Sequence, residues 1–279
     1  MTSPFPNGSD LSGSRSLHRE TGAAWEILAK AGYQGEVDEH VALLRGGGTT
    51  LMPAELPLLG DLSSWCRRAI HLQCSGGVDL LSLWKLGARD IVGIDISETV
   101  LTYARAKAAA LGIPASWFRC DVLDTPHELD GTADLVYTGR GALMWMADIN
   151  AWAAVVERLL LPGGKVFIME QHPLDNVWDP QAADFQLRAD GAGYFDTVPQ
   201  ESPHFPASAV ARHTKGDPNR PRIQSRDWRP GEVLNALAAR GLHYVHFDEY
   251  PELWWDQFQI PAETMRRLPH MYSVMMRKP

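Results

Sequence analysis

A pair of glycines and two aspartates are the residues of this chain whose types and spacing could do chemistry together. Gly76 and Gly77 follow His71-Leu72-Gln73-Cys74-Ser75, Asp95 closes Val92-Gly93-Ile94, and Asp121 closes the run from Ala115 to Cys120. A glycine turn lets backbone pass close to a ligand, and a following helix presents free N–H groups. A carboxylate at the end of the next strand can accept hydrogen bonds from both hydroxyls of a ribose. The second acid, Asp121, is placed to accept from an adenine amino group. Each part also has a plain reading: a tight turn, a helix N-cap and a loop carboxylate. For Asp95 the cap is already supplied by Ser97, with Glu98 beside it. Together the three point to a nucleoside. Neither Gly-x-Gly-x-x-Gly nor a Gly-Lys-Ser/Thr phosphate loop is present.

These residues need elements that bring strand ends to one edge. From Arg68 to Lys165 short apolar runs alternate with helical patterns. Strands are expected at Ala69 to Gln73, Ile91 to Ile94, Ala115 to Cys120, Leu135 to Tyr137 and Lys165 to Met169. Between them lie a helical pattern from Val78 to Leu86, an Ala-rich helix from Glu98 to Leu111, and a helix from Ile149 to Leu161. Such alternation implies right-handed crossovers and a parallel sheet covered on both faces. A helix at Gly231 to Arg240 and strands at Tyr244 to Phe247 and Met271 to Met276 resume the rhythm. Residues 172–227, rich in Pro, Gly, His and aromatics, break it and read as a lid or substrate insertion. The expected organisation is a disordered lead-in over 1–20, a core over 21–171 opened by a helical segment, the lid over 172–227, and completion of the sheet over 228–279.

Composition sets the outer bounds. The chain has 279 residues, 45% hydrophobic and 22% charged, with a formal charge of -8. That balance disfavours nucleic acid and anionic membrane, which reward clustered Lys and Arg. The run Arg220, Arg222, Arg226 and Arg229 is interleaved with prolines and Asp227, and reads as a solvated face or a substrate contact. Three cysteines, Cys66, Cys74 and Cys120, fit neither a disulfide framework nor a zinc site. A cytoplasmic setting is expected, with no signal peptide and no membrane span.

The quoted segments, with Tyr137-Thr138-Gly139-Arg140-Gly141-Ala142-Leu143-Met144-Trp145 and Leu161-Pro162-Gly163-Gly164, resemble the class I S-adenosylmethionine-dependent methyltransferases. Bacterial small-molecule members share the His-Leu-Gln-Cys start and a Glu-x-His-Pro after strand five, here Glu170-Gln171-His172-Pro173. The resemblance covers residues 20–175 well, and 228–250 and 269–279 thinly. It implies an α/β, Rossmann-like sheet of seven strands, the last antiparallel, with helices on both faces and a cap. It also implies S-adenosylmethionine as cofactor, leaving as S-adenosylhomocysteine. Carried over by position, Gly76 and Gly77 approach the methionine moiety, Asp95 binds the ribose, Asp121 with Val122 flanks adenine, and Gln73, Cys74, Ser75 and Ile96 are further cofactor-binding residues. Thr138 and Gly139 line the strand-four side, and Trp25 with Tyr33 closes over the cofactor. Two departures stand out: Ser75-Gly76 where the family commonly places a bulkier pair, and Asp227-Trp228-Arg229-Pro230 where many members have Trp-Asn-His or Trp-His. Any histidine role there is lost or altered.

Methyl transfer is an in-line displacement at a sulfonium carbon, needing alignment and sometimes a base. His172 is the leading candidate base, because it follows strand five and titrates near neutrality. Its plain reading is a turn before Pro173. Glu170 could orient it, meet the substrate, or make a buried pair. Tyr194, His204 and His213 are further lid candidates, and Arg140 could meet an acidic acceptor or a surface partner. No metal-ligand spacing and no Asn-Pro-Pro-Tyr-type motif is present. Among ten tryptophans, Trp65, Trp84 and Trp152 sit at helix-face spacing. Trp145, Trp178, Trp228, Trp254 and Trp255 could enclose a planar acceptor or simply pack lid on body. The expected acceptor is a flat aromatic or heterocyclic metabolite, indole-like among others, and a homodimer is one expected assembly. Three rivals remain open: a fold relative that cyclises its ligand, a non-catalytic nucleoside binder, and a nicotinamide dehydrogenase.

Overall fold

Near-continuous apolar runs form the strands at the centre of the molecule, as parallel sheets buried on both faces require. The computed structural model describes residues 11–32, 36–190, 193–196, 200–201, 223–254 and 258–279. Its strands are β1 (Arg68–Leu72), β2 (Asp90–Asp95), β3 (Ser116–Arg119), β4 (Ala133–Gly139), β5 (Leu160–Gln171), β6 (Gln200–Glu201), β7 (Gln224–Ser225), β8 (His243–Tyr250) and β9 (Met271–Arg277). Seven of them make one sheet in the order β3-β2-β1-β4-β5-β9-β8, while β6 and β7 pair in a separate ribbon. Strands β1 to β5 pair in parallel, and β9 runs antiparallel to both β5 and β8. The sequence order reverses direction between β1 and β4. In an open α/β sheet that switch point opens a crevice at the carboxyl ends of the strands.

Helices cover both faces. They are α1 (Ser12–Gly32), α2 (Glu36–Arg45), α3 (Glu55–Leu59), α4 (Val78–Lys85), α5 (Glu98–Leu111), α6 (Ile149–Leu159), α7 (Pro230–Ala238) and α8 (Ala262–Met265). Ser97 caps α5 by accepting from Val100 N, and Gly112, at φ 67°, ends it in the left-handed region. Asp148 caps α6 through Asn150 N and Ala151 N. Alternate residues of β1 feed two cores: Ile70 and Leu72 pack with Trp152 and Val156 of α6, whereas Ala69 packs with Leu80 and Leu81 of α4.

Some expected boundaries move. The lead-in over 1–20 is cut short by α1, a helix from Ser12. Strand four is longer than Leu135 to Tyr137, and α6 stops at Leu159 because β5 starts ahead of Pro162. The region expected as a lid begins as a 3-10 turn over Pro173–Val177 and includes a bridge between Trp178 and Leu187. His204, His213, Tyr33, Arg220, Arg222 and Trp255 lie outside the described residues. No described helix is long and apolar enough to cross a membrane.

The Trp117 ring lies over two glycines that hold the crevice together. A Cβ on Gly77, itself at φ 72°, would fall 2.6 Å from Trp117 Cη2, and one on Gly93 would overlap the same ring and fall 2.9 Å from Cys74 Sγ. Overfilling so close a contact typically costs about 1–3 kcal/mol. Gly93→Ala should therefore lower stability by about 2 kcal/mol in urea unfolding, and adding Trp117→Leu should recover part of the loss. Additive losses in the double variant would contradict this packing.

Candidate active site

The glycine loop and Asp95 are built as one unit. Asp95 Oδ2 accepts from Ser75 N at 2.8 Å and Oδ1 accepts from Ser97 N at 2.9 Å. To reach this arrangement the loop takes positive φ at Gln73 (56°), Ser75 (47°) and Gly77 (72°), a concentration of backbone strain typical of functional loops. Burial pushes the Asp95 carboxyl up to about 6, against the pull of the amides of Ser97, Ser75 and Ile96; Glu26 adds a smaller upward push. Gln73 Nε2 donates to Ala142 O at 2.7 Å, and its buried Oε1 has no partner among the described residues. Cys74 is buried, and desolvation raises its thiol well above the ordinary range, so it is a neutral packing group.

Helix α1 roofs one end of this edge. Residues 18, 22, 25 and 26 share one face of a helix. His18 Nδ1 donates to Asp121 Oδ2 at 2.8 Å, and Ala147 N donates to His18 Nε2 at 3.1 Å. With one ring nitrogen donating and the other accepting, the imidazole is held as a neutral tautomer. Leu123 N also donates to Asp121, at 2.9 Å. Gly22 lets α1 settle onto Ile96, since a Cβ there would lie 3.1 Å from that side chain. Trp25 meets Trp145 edge-on, centroids 6.0 Å apart, and Glu26 accepts from Thr99 N at 3.3 Å. Sequence reading missed His18; its spacing from Gly22 and Trp25 was the available signal. Asp121, expected to accept from adenine, is engaged by His18 and Leu123.

On the strand-four side Thr138 is fully buried and its hydroxyl donates to Leu72 O at 3.2 Å, so it binds β1 rather than facing a pocket. Gly139 lacks room for a side chain because Met169 O approaches it. Val122 is buried in the core beside Phe118 and Leu129. Arg140 turns away from any acceptor. Its guanidinium pairs with Glu55 at 2.5 Å and with Asp79, donates to Thr50 O at 3.0 Å, and lies 4.4 Å from the Trp254 ring centroid. Tyr137 OH donates to Glu55 at 2.6 Å. The arginine is thus a buried clamp, neither an acceptor contact nor a surface bridge.

The expected catalytic trio is redistributed. Glu170, 4% exposed, accepts from Ala142 N at 3.1 Å, Leu143 N at 3.0 Å, Gln171 N at 3.0 Å and also Gly141 N. It therefore holds the turn after β4 and does not orient His172. Desolvation raises its carboxyl, and the four amides partly offset that rise. His172 accepts from Leu174 N at 3.2 Å through Nδ1, capping the 3-10 turn, and donates through Nε2 to Glu249 at 3.0 Å. Burial lowers its pKa more than Glu249 raises it. With both nitrogens committed, the general-base expectation for His172 gives way to a turn-forming role. Tyr194 stacks on that ring at 6.2 Å, with planes 12° apart.

Beside these residues is a narrow hollow at the carboxyl ends of β4 and β5. Met144, Glu170, Asn176, Asp227, Trp228 and Tyr272 are among the residues that line it, and it has room for about one water-sized group. Asp227 Oδ1 accepts from Asn176 Nδ2 at 2.6 Å. Trp228 anchors its indole N–H on Met146 O at 2.8 Å, under the Arg226 guanidinium.

Comparison with known proteins agrees with this layout. Residues 69–164, which contain the glycine loop and both strand-end acids, match the family model described as a methyltransferase domain. The chain is 35% identical over 102 residues to the biotin biosynthesis bifunctional protein BioCD of Bordetella avium, covering 36% of this chain and 21% of that one. It is 29% identical over 133 residues to the ubiquinone biosynthesis O-methyltransferase of the same organism, covering 47% of this chain and 54% of that one. The matches thus span about half or less of these curated relatives. A solved S-adenosylmethionine-dependent methyltransferase from Mesorhizobium loti superposes with a TM-score of 0.56 at 21% identity, covering 81% of this chain and 96% of that one. Residues 69–164 thus match a methyltransferase domain, and the sheet built around them has the fold of S-adenosylmethionine-dependent methyltransferases of known structure.

The Glu170 cradle gives a direct prediction. Glu170→Gln would place an N–H₂ against backbone donors and remove the charge that strengthens these bonds, each worth about 1.5–3 kcal/mol when ionic. Denaturant unfolding should show a loss of about 3 kcal/mol, and amides 141–143 should exchange faster with solvent. A loss below about 0.5 kcal/mol, with unchanged exchange, would remove Glu170 from this role.

Proposed function

We propose that this chain binds S-adenosylmethionine and transfers its methyl group to a small molecule. The observation that carries the reading is Asp95, whose two oxygens are pre-set by Ser75 N and Ser97 N at the strand end beneath α1. A carboxylate fixed this way keeps lone pairs for two ribose hydroxyls. Gly76 and Gly77 would pass the methionine moiety, Asp121 and Val122 would flank adenine, and Ile96, Trp25 and the unpaired Gln73 Oε1 would close around it. The group would supply an electrophilic methyl on a cationic sulfur, and the acids Asp95, Asp121 and Glu26 suit a cation at this edge. Two relatives named for biotin and ubiquinone biosynthesis support a small-molecule acceptor. Trp228, Tyr272 and Tyr194 near the hollow support a planar one.

Calorimetric titration tests the reading. S-Adenosylmethionine and S-adenosylhomocysteine should bind at micromolar concentrations and NAD should not, while Asp95→Ala should abolish binding. Because the ionised carboxylate accepts the hydroxyls, ligand binding lowers the Asp95 pKa from its raised value of about 6. Affinity should therefore be flat above neutrality and fall by up to about tenfold per pH unit below that value, a slope that Asp95→Asn should remove. Binding of NAD alone, or of no nucleoside, would defeat the proposal.

A further inference from the structure

The hollow contains polar groups that the nucleoside edge does not use. Tyr272, on β9, is 0% exposed, and its hydroxyl has no hydrogen-bond partner among the described residues. Its ring is held by His172 edge-on at 6.1 Å and by Phe247 at 6.3 Å, so the buried hydroxyl keeps its place, and Tyr272 is among the residues that line the hollow. An unpaired buried hydroxyl costs about 1–3 kcal/mol, which a bound partner would recover. Asp227 lines the same hollow. Asn176 occupies one of its oxygens, and the other is unengaged among the described residues.

The charged groups around Asp227 leave it in need of a donor. Glu170 is committed to four amides. Arg226 is drawn to Glu232 and the Trp228 ring, and Arg188 pairs with Asp190 while still favouring ionised Asp227 from a distance. The hollow thus offers one ionised acceptor and one hydroxyl, in a space that fits a single small polar group.

On the methyltransferase reading, we propose that Asp227 is the general base of the transfer and that the reacting group of the acceptor is a hydroxyl on an aromatic or enolic carbon. One oxygen meets both demands, donating its proton to Asp227 and accepting from Tyr272; an indole N–H has no lone pair in the ring plane to offer the tyrosine. In the step, the O–H bond breaks as its proton moves to the Asp227 carboxylate. The oxygen pair forms the new O–CH₃ bond, and the S–CH₃ pair remains on sulfur. A carboxylate and a sulfonium become a carboxylic acid and a neutral thioether, so charge balances. Burial pushes the Asp227 carboxyl up to about 6, against Asn176 and Arg188, which leaves it ionised at neutral pH and a stronger base than an ordinary aspartate.

Phenol is the probe, titrated calorimetrically into the full chain saturated with S-adenosylhomocysteine. The wild type should bind phenol about tenfold more tightly at pH 7.5 than at pH 5, following ionisation of Asp227. Asp227→Asn keeps an acceptor for Asn176, and should bind S-adenosylhomocysteine normally but phenol about tenfold more weakly at pH 7.5, without pH dependence. Tyr272→Phe should weaken phenol severalfold and keep the pH dependence. With S-adenosylmethionine and phenol, release of S-adenosylhomocysteine should fall about a hundredfold in kcat for Asp227→Asn, more than KM rises. Wild type that binds S-adenosylhomocysteine but not phenol overturns the inference and leaves the methyltransferase reading standing. Unchanged phenol affinity or unchanged kcat in Asp227→Asn overturns it too, and a wild type that binds no sulfur nucleoside sinks both.

Discussion

One buried carboxylate fixes the floor on which the rest of the site stands. Removing Glu170 from water costs several kcal/mol, and the cost is met only because four backbone amides converge on it. Those amides belong to the end of β5 and the turn after β4. The same turn is tied to the glycine loop, because Gln73 donates to Ala142 O. Three strand ends, those of β1, β4 and β5, are therefore locked by two side chains. The glycine loop and the hollow cannot shift independently, which is what aligning two reactants there would require.

A second constraint comes from outside the sheet. Helix α1 makes few apolar contacts of its own, with Ala24 and Leu28 the chief buried residues beside Trp25. Its attachment is instead polar, through His18 to Asp121 and Ala147 and through Glu26 to Thr99. A helix held mainly by hydrogen bonds to the loops that shape a pocket is well suited to open and reclose over a ligand. The imidazole between Asp121 and Ala147 ties the segments that follow β3 and β4 to one side chain.

Much of this was legible in the sequence, and the boundary between legible and hidden has a physical cause. The alternation of apolar runs with helical patterns dictates a parallel sheet, and a parallel sheet dictates where its strands end. Asp95 could be placed from that alone. The first turns of α1 were hidden because Ser12-Gly13-Ser14 have the composition of a linker, whereas its later part was expected as a helical segment. The roles of Glu170, His172 and Arg140 were hidden for another reason. Each was read against sequence neighbours, whereas Glu170 binds amides about thirty residues upstream, His172 meets Glu249, and Arg140 reaches Glu55 and Asp79. Residue type announces that a group will need a partner; only the fold says which.

The contrast between satisfied and unsatisfied buried groups separates scaffold from site. On the face of the sheet that carries α4, Tyr137, Glu55, Arg140 and Asp79 bind one another, so most of that buried charge is matched. Trp152 also leaves an indole N–H without a partner among the described residues, but it is buried in the core with α6 side chains. Tyr272 differs because its unpaired hydroxyl borders a space shared with a carboxylate. Asp95 and Asp227 show the same economy of readiness. Each has a folded-state pKa raised above its unfolded value, so each costs the fold stability once pH climbs past the ordinary aspartate range. A chain under selection for stability alone would replace them. The proposed roles account for the cost: Asp95 would present its carboxylate to hydroxyls that stay, and Asp227 to a hydroxyl that must lose its proton.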